Sequence, residues 1–525
     1  MSDDPDAIVI GAGPNGLVAA NVLADAGWSV LVLEAQPDIG GAVHSDSELD
    51  PDFVHDTFSA FYPLGAGSPV MGGLDLQSYG LTWKHAPAVL GHPRPDGGWA
   101  LLHHDVDMTA AGLDEHAAGD GDRWHELHRD WQRIGPSLVE SLMSPFPPVK
   151  GGLKTLARLP SVGGLAYVKM LLEPARQLVE SRFDSEEAKL LIAGNGGHAD
   201  IPLDATGSGL MALLLVMLAQ TVGYPVPEGG ASELPNALAR RLESKGGSIR
   251  CDARVDGIAV RDRRARGVRI QGGETISAAR AIIADVSATS LYGGLIGWDH
   301  LPTRTRRDMR QFRYDPATVK VDWALDGPVP WASTPALAPG TVHIADSLDQ
   351  MTTALQQVGG HTIPAHPFLL MGQMTTADPT RSPAGTESLW AYTHVPQEVR
   401  SDGGGDDITG VWDHTESERM ADRMQDRIEK YAPGFTSRVR ARRVLAPPDL
   451  ERRNANLVGG SINGGTSDLH QQLVFRPVPG LGRAGTPIRG LYLGSAAAHP
   501  GGGVHGAPGA NAARAAIAAH RTGRL

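Results

Sequence analysis

An α/β fold, with a Rossmann-like dinucleotide-binding domain and a second, discontinuous α+β domain, is what this 525-residue sequence predicts. Three observations predict it. A short apolar run at residues 7–10 leads directly into Gly11-Ala12-Gly13-Pro14-Asn15-Gly16, and a helical stretch follows. A second apolar run, 29–33, ends at Glu34, 18 positions after the last of those glycines. Near the other end, Gly490-Leu491-Tyr492-Leu493-Gly494 is again a short apolar run, followed by a glycine-rich loop and an alanine-rich helix at 510–520.

Each element has a physical reason. Residues 7–10 have the continuous apolar character of a parallel strand buried on both faces. Gly11 permits the tight turn, Gly13 lets backbone approach a pyrophosphate, and Gly16 allows close packing of helix against strand. The helix N-terminus offers free N–H groups to phosphate, and Glu34 can accept hydrogen bonds from ribose hydroxyls. Gly40-Gly41 then suggests that the chain folds back over the dinucleotide. At the far end, the strand, glycine loop and helix of 490–520 set backbone amides against an electron-rich ligand. Between these ends, 232–245 reads as an amphipathic helix stopped by Gly246-Gly247. Strands are expected at 249–251, 255–260, 267–270 and 281–284, with the basic turn 261–266 as an exposed hairpin tip.

Composition narrows the class. Hydrophobic residues make up 41% and charged ones 20%, an ordinary globular balance with ample core. The 65 glycines and 38 prolines imply many tight turns, and the net charge of −12 argues against nucleic acid as a partner. A single cysteine, Cys251, excludes dithiol redox chemistry. His125 and His128 could share a helix face, but no third ligand is near in sequence, so no metal site is expected. The longest apolar run, 210–219, is short of the roughly 18 residues needed to cross a bilayer. It reads as a core helix, with an apolar substrate tunnel or a membrane-resting face as alternatives. Residues 1–6 are acidic and lack a basic region, so the expectation is a cytoplasmic protein without a secretory signal, with peripheral membrane contact left open.

The opening GAGPNGLVAA with Glu34 and Gly40-Gly41, together with GLYLGSAAAHPGGGVHGAPGANAA, resembles the phytoene dehydrogenase-related FAD flavoproteins. Within them it looks most like the branch called pyridine nucleotide-disulfide oxidoreductase domain-containing protein two. This sequence has neither the cysteine pair nor the second GxGxxG which that name suggests. Pro227-Glu228-Gly229-Gly230 resembles the family's return into the FAD domain. The resemblance implies a GR2-type flavoprotein with non-covalent FAD. Its FAD-binding domain would comprise 1–74, 226–290 and 486–525, and its substrate domain 75–225 and 291–485. It further implies that Gly11, Gly13, Pro14, Asn15 and Gly16 hold the pyrophosphate and Glu34, beside Ala35, the adenosine ribose. Gly40 and Gly41, continuing into Ala42 and Val43, would meet the phosphates. Val255 would face adenine, and Gly494, Ser495, Gly503 and Val504 would line the ribityl chain and ring. Many relatives carry Gly-Asp where this chain has Gly494-Ser495, so Ser495 would replace a carboxylate with a neutral hydrogen bond.

Of the intervening stretches, 75–225 reads as mostly helical and 291–485 as strands mixed with loops, 402–407 being a very flexible one. A flavin needs the substrate C–H bond held about 3–3.5 Å from N5. Three segments could reach the ring: 58–62, 460–465 leading to Arg476-Pro477, and 498–501. His499 is the best-placed titratable group and the candidate catalytic acid or base; its alternative role is to brace the glycine loop. The function expected is FAD-dependent dehydrogenation of a lipophilic, polyene or isoprenoid-like small molecule. Oxygen, a quinone or another carrier would be the electron acceptor. An amine oxidase, a redox-neutral isomerase and a flavin-binding interaction protein are the alternatives.

Overall fold

Runs of four buried aliphatic residues leave no wet face, and they assemble into a parallel sheet. In the computed structural model, which describes residues 4–199 and 201–524, its five strands run in the order Leu491–Leu493, Ala281–Ala284, Ala7–Ile10, Val30–Leu33, Ser248–Arg250. Ile8 lies between Ile282 and Leu31 in register. Helix Pro14–Asp25 covers one face together with Glu233–Ser244 and the C-terminal helix Ala507–Arg521. Contact between the first and last of these is so close that a Cβ on Gly509 would sit 1.9 Å from the Asn15 carbonyl oxygen. An antiparallel meander, Val255–Arg261, Arg264–Ile270 and Thr275–Ser277, packs on the opposite face. The basic turn is its hairpin tip, with Asp262 and Arg263 at φ 52° and 57°, the left-handed pair that a tight two-residue hairpin requires.

The second sheet has seven strands, ordered Val439–Leu445, Ala317–Leu325, Glu387–Val395, Leu369–Gln373, Pro339–Ile344, Ala88–Pro93, Trp99–Leu102. All neighbours are antiparallel except Pro339–Ile344 with Ala88–Pro93. Residues 75–225 are therefore not only helical: they supply two edge-side strands before Asp120–Met143 and the helices that follow. The long apolar run lies within Ser208–Val222 and is buried from Ala212 to Gln220, so it is a core helix and not a membrane-resting one. The loop 402–407 is tied down. Asp402 accepts from the amides of Gly404, Asp406 and Ile408, and with Asp406 it grips the buried Arg423.

The two sheets are joined by buried charge. Arg381, fully buried, bonds Asp56 at 2.9 Å, Asp378 at 3.0 Å and the Pro227 carbonyl at 3.2 Å. Asp56 also accepts from the Ala231 amide. Asp56 and Pro227, each in a two-residue strand, and the loop between strands Leu369–Gln373 and Glu387–Val395 thus share one cation, which the polar groups around it keep satisfied.

Candidate functional site

A cavity of about 730 Å³ opens at the C-terminal ends of the parallel strands, where doubly wound sheets bind ligands. Its floor is the first glycine loop. Gly11 has φ 97°, and a Cβ on Gly16 would lie 2.1 Å from the Gly11 carbonyl oxygen, so the helix starts hard against the turn. Gly41, at φ 58°, passes so near that its Cβ would sit 3.1 Å from the Cα of Gly13, and the Gly40 amide donates to Ala12 O. The chain does fold back over the loop. Glu34 holds the crossing together: one carboxylate oxygen accepts from the Ala12 amide at 2.7 Å and the other from the Gln36 amide at 2.9 Å. Each oxygen keeps a lone pair toward the cavity.

Gly11, Gly13, Pro14, Asn15, Glu34, Ala35, Gly41, Ala42, Val255 and Ser495 line the cavity. Gly16, Gly40 and Val43 lie beneath it as packing and turn residues. Gly494 is pressed between Ile283 and Ala512, and Gly503 beside Leu64. Val504 sits over Gly65. The geometry fits a dinucleotide flavin. The Asn15 side-chain oxygen is buried at the helix start without a hydrogen-bond partner, an acceptor suited to a ligand hydroxyl, and a side chain at Gly13 or Gly41 would fill the crossing that backbone leaves.

Three groups escaped the sequence reading. Asp285 follows the strand Ala281–Ala284 and accepts from the Gly16 amide at 2.8 Å, taking the N–H a phosphate would otherwise seek. Burial raises its pKa to about 7, against that hydrogen bond and with the Glu34 charge adding to the rise. The segment 452–457 forms the facing wall. There Asn456 accepts from the Ser287 amide and donates to Asp285 O, while Arg452 and Arg453 bring positive charge to the rim. Asp315 gathers the loop after that wall, accepting from Ser461 Oγ, Ile462 N, Asn463 N and Gly465 N.

At the inner end, Ile462 and Gly464 meet Ser495, Ala496 and Ala497 in the lining. Arg476 fastens these two segments, donating to the carbonyls of Asn463 at 2.9 Å, Thr466 at 3.1 Å and Ala496 at 2.7 Å. Thr57 and Phe58 form the adjoining wall. Thr57 donates to Asp46, and the chain of charge continues through Arg443 and Asp322 to the buried Lys320, which also donates to Asp56 O. Burial would raise the Asp46 pKa, but the bonds from Arg443 and Thr57 hold it at about 2. Past Phe58, Phe61 enters an aromatic group, with ring centres 6.1 Å from Trp390 and 6.5 Å from Tyr224; Trp390 stacks on Tyr392.

His499 is buried two residues beyond the lining. Its Nε2 faces the Ser144 carbonyl at 3.1 Å and its ring meets Phe146 edge-on. A carbonyl can only accept, so Nε2 carries the proton and Nδ1 holds the lone pair, without a hydrogen-bond partner. Burial lowers the pKa of His499 below the usual 6.5, with the Ser144 carbonyl opposing. His505 contrasts with it, since its Nε2 faces Gly502 O and its Nδ1 accepts from the Ala507 amide. His505 is fully used in capping the last helix.

Comparison with known proteins bears on this geometry. A family model described as NAD(P)-binding Rossmann-like domain matches residues 9–71, and one described as flavin containing amine oxidoreductase matches 165–362. Pyridine nucleotide-disulfide oxidoreductase domain-containing protein 2 of Mus musculus is 30% identical over 98% of this chain and 93% of its own. The neurosporene-forming phytoene desaturase of Rhodobacter capsulatus is 23% identical over 95% and 91%. Among solved structures, putrescine oxidase bound to putrescine superposes with a TM-score of 0.61 at 16% identity, covering 98% of this chain and 99% of that one, a likeness of fold.

Proposed function

This chain belongs to the family of pyridine nucleotide-disulfide oxidoreductase domain-containing protein 2 and is an FAD-dependent oxidoreductase, and from that premise we propose that it dehydrogenates a lipophilic, isoprenoid-like substrate. The observation that carries the reading is the aromatic group of Phe61, Tyr224, Trp390 and Tyr392, which begins three residues beyond the cavity-lining Phe58. His198 meets the Tyr224 ring edge-on, and burial lowers its pKa to about 3, so it adds no charge; Lys320, 5.9 Å from the Trp390 ring centre, is held by Asp322. A relative that covers nearly the whole chain is a desaturase of phytoene, a polyene.

Bound FAD supplies a two-electron acceptor that takes hydride from carbon. The residues of this chain do the rest. Gly11, Gly13, Asn15 and Gly41 would hold the pyrophosphate on backbone, Glu34 would accept from the ribose, and Ser495 would bond the ribityl chain. Phe58, Phe61, Trp390 and Tyr392 exclude water and orient an apolar chain. His499, neutral and with its Nδ1 lone pair free, takes the proton from the neighbouring carbon. Oxygen, a quinone or another carrier then accepts the electrons.

Anaerobic titration of the holoenzyme tests the reading. Isoprenoid polyenes in detergent micelles should bleach the flavin absorption while primary amines leave it unchanged. Bleaching by amines and not by polyenes would replace this proposal with the amine oxidase reading.

A further inference from the structure

Helices normally turn their apolar face inward. The segment 149–172 does the reverse. Val149, Leu153 and Leu156, on one face of helix Val149–Arg158, are 63%, 63% and 65% exposed, and Leu165 on the following helix Leu165–Leu172 is 82% exposed. The inward side of the first helix is small and polar. Gly151 abuts Ser141 and Thr155 bonds Ser141, while Lys154 pairs with Glu140 at the surface. The arrangement is therefore fixed by packing against Asp120–Met143, with its leucines outward.

Charge points to what covers this face. Between Glu140 and Glu173, which pair with Lys154 and Lys169 at 2.8 Å and 3.8 Å, there is no Asp or Glu, yet Lys150 and Arg158 add further positive charge, in a protein whose net charge is −12. Leu172 extends the patch: the Gly207 amide donates to Leu172 O, and a Cβ on Gly207 would meet Leu469 at 3.1 Å. Leu469 is itself exposed, as are Leu473, Val474 and Phe475. Leucines outward with a surplus of cations among them match a bilayer surface rich in anionic phospholipid. A second copy of this chain fits poorly, because a two-fold contact would set the cationic patch against itself.

We propose that the helical pair 149–172, with the loop 469–475 beside it, docks this protein on the surface of an anionic phospholipid bilayer. The docking face adjoins the site. The loop that enters helix Val149–Arg158 carries Ser144 and Phe146, the two residues in contact with His499. A substrate dissolved in lipid would then meet the enzyme on the side where His499 sits.

Vesicle co-sedimentation of the FAD-loaded protein is the test, with phosphatidylglycerol-containing vesicles against pure phosphatidylcholine at low and high salt. Two variants are compared, Leu153→Asn/Leu156→Asn and Lys150→Gln/Arg158→Gln/Lys169→Gln, each checked for unchanged flavin absorption and thermal midpoint. The wild type should sediment with anionic vesicles and be released by salt. Each variant should bind at least tenfold more weakly, since each cation near an anionic surface is worth about fivefold. Failure of the wild type to bind overturns the proposal, as does equal binding to neutral vesicles or unchanged binding by both variants. A wild-type dimer in solution that both variants dissociate would assign the face to a second copy and overturn it too.

Discussion

Asp285 is the place to perturb first. Its carboxyl lies beneath the glycine loop, with Oδ2 2.8 Å from the Gly16 amide and 2.9 Å from where a Gly13 Cβ would be. Burial keeps it protonated up to about pH 7 instead of 3.8, which amounts to about 4 kcal/mol against ionisation. The sign follows from linkage. Between pH 3.8 and 7 the folded chain holds a proton that the unfolded chain has released, so Asp285 costs stability as pH rises. The cost grows by about 1.4 kcal/mol per pH unit and levels off above 7. Asp285→Asn keeps an acceptor for the Gly16 amide and removes the charge. All other titrating groups are shared, so the variant-minus-wild-type difference isolates this one. It should grow by about 2 kcal/mol from pH 5 to 7 in urea unfolding of the apoprotein and level off by about pH 8. FAD binding should report the same charge, because an ionised Asp285 repels the pyrophosphate. Wild-type affinity should weaken above pH 7, by up to tenfold per pH unit, while that of the variant stays level. Parallel stability curves, or equal pH slopes for FAD binding, would refute the reasoning.

Other outcomes follow from the same contacts. Gly16→Ala places a Cβ 2.1 Å from backbone, so the purified protein should be colourless and should not take up added FAD. His499→Gln should lower kcat/KM by about 10²–10⁴. The wild-type rate should fall only below pH 6.5, as the buried imidazole gains its proton, and the variant should lack that limb. Arg381→Met leaves Asp56 and Asp378 buried without their cation. It should destabilise the fold by about 3–5 kcal/mol, seen as a lowered thermal midpoint, whereas a midpoint within a degree of wild type would show that the triad is dispensable.

Much of the nucleotide unit was legible because its signals are local. Ala281–Ala284 forms over the very residues that were expected, and Ser248–Arg250 and Glu233–Ser244 differ from expectation by one residue at each end. A buried strand, a glycine turn and a helix cap each announce themselves within a few residues. Ala88–Pro93 did not, since its partner Pro339–Ile344 lies some 250 residues away and its own sequence ends in His-Pro. The wall at 452–457 carries no period and acquires meaning only when Asn456 reaches Asp285 and Ser287. Asp285 itself could have been found. It is the first residue past a buried parallel strand, where side chains face the ligand crevice. The outward leucines of 149–172 show the limit from the other direction: periodicity gives an amphipathic helix and leaves open which side faces solvent.

The order of the parallel sheet has a consequence for how this protein is made. Its central strand, Ala7–Ile10, leaves the ribosome before the other strands of its sheet, and Leu491–Leu493, with the helix Ala507–Arg521 that packs on Pro14–Asp25, follows all of them. At about 5–20 residues per second, the first strand waits roughly half a minute to a minute and a half for its sheet to close. Throughout that time the free edge of Ala281–Ala284 and the face of Pro14–Asp25 that the C-terminal helix covers are open to chaperones and to other nascent chains. Flavin capture therefore waits for Leu491–Leu493 and the helix that follows it, and deletion of Ala507–Arg521 should yield a polypeptide retained by chaperones.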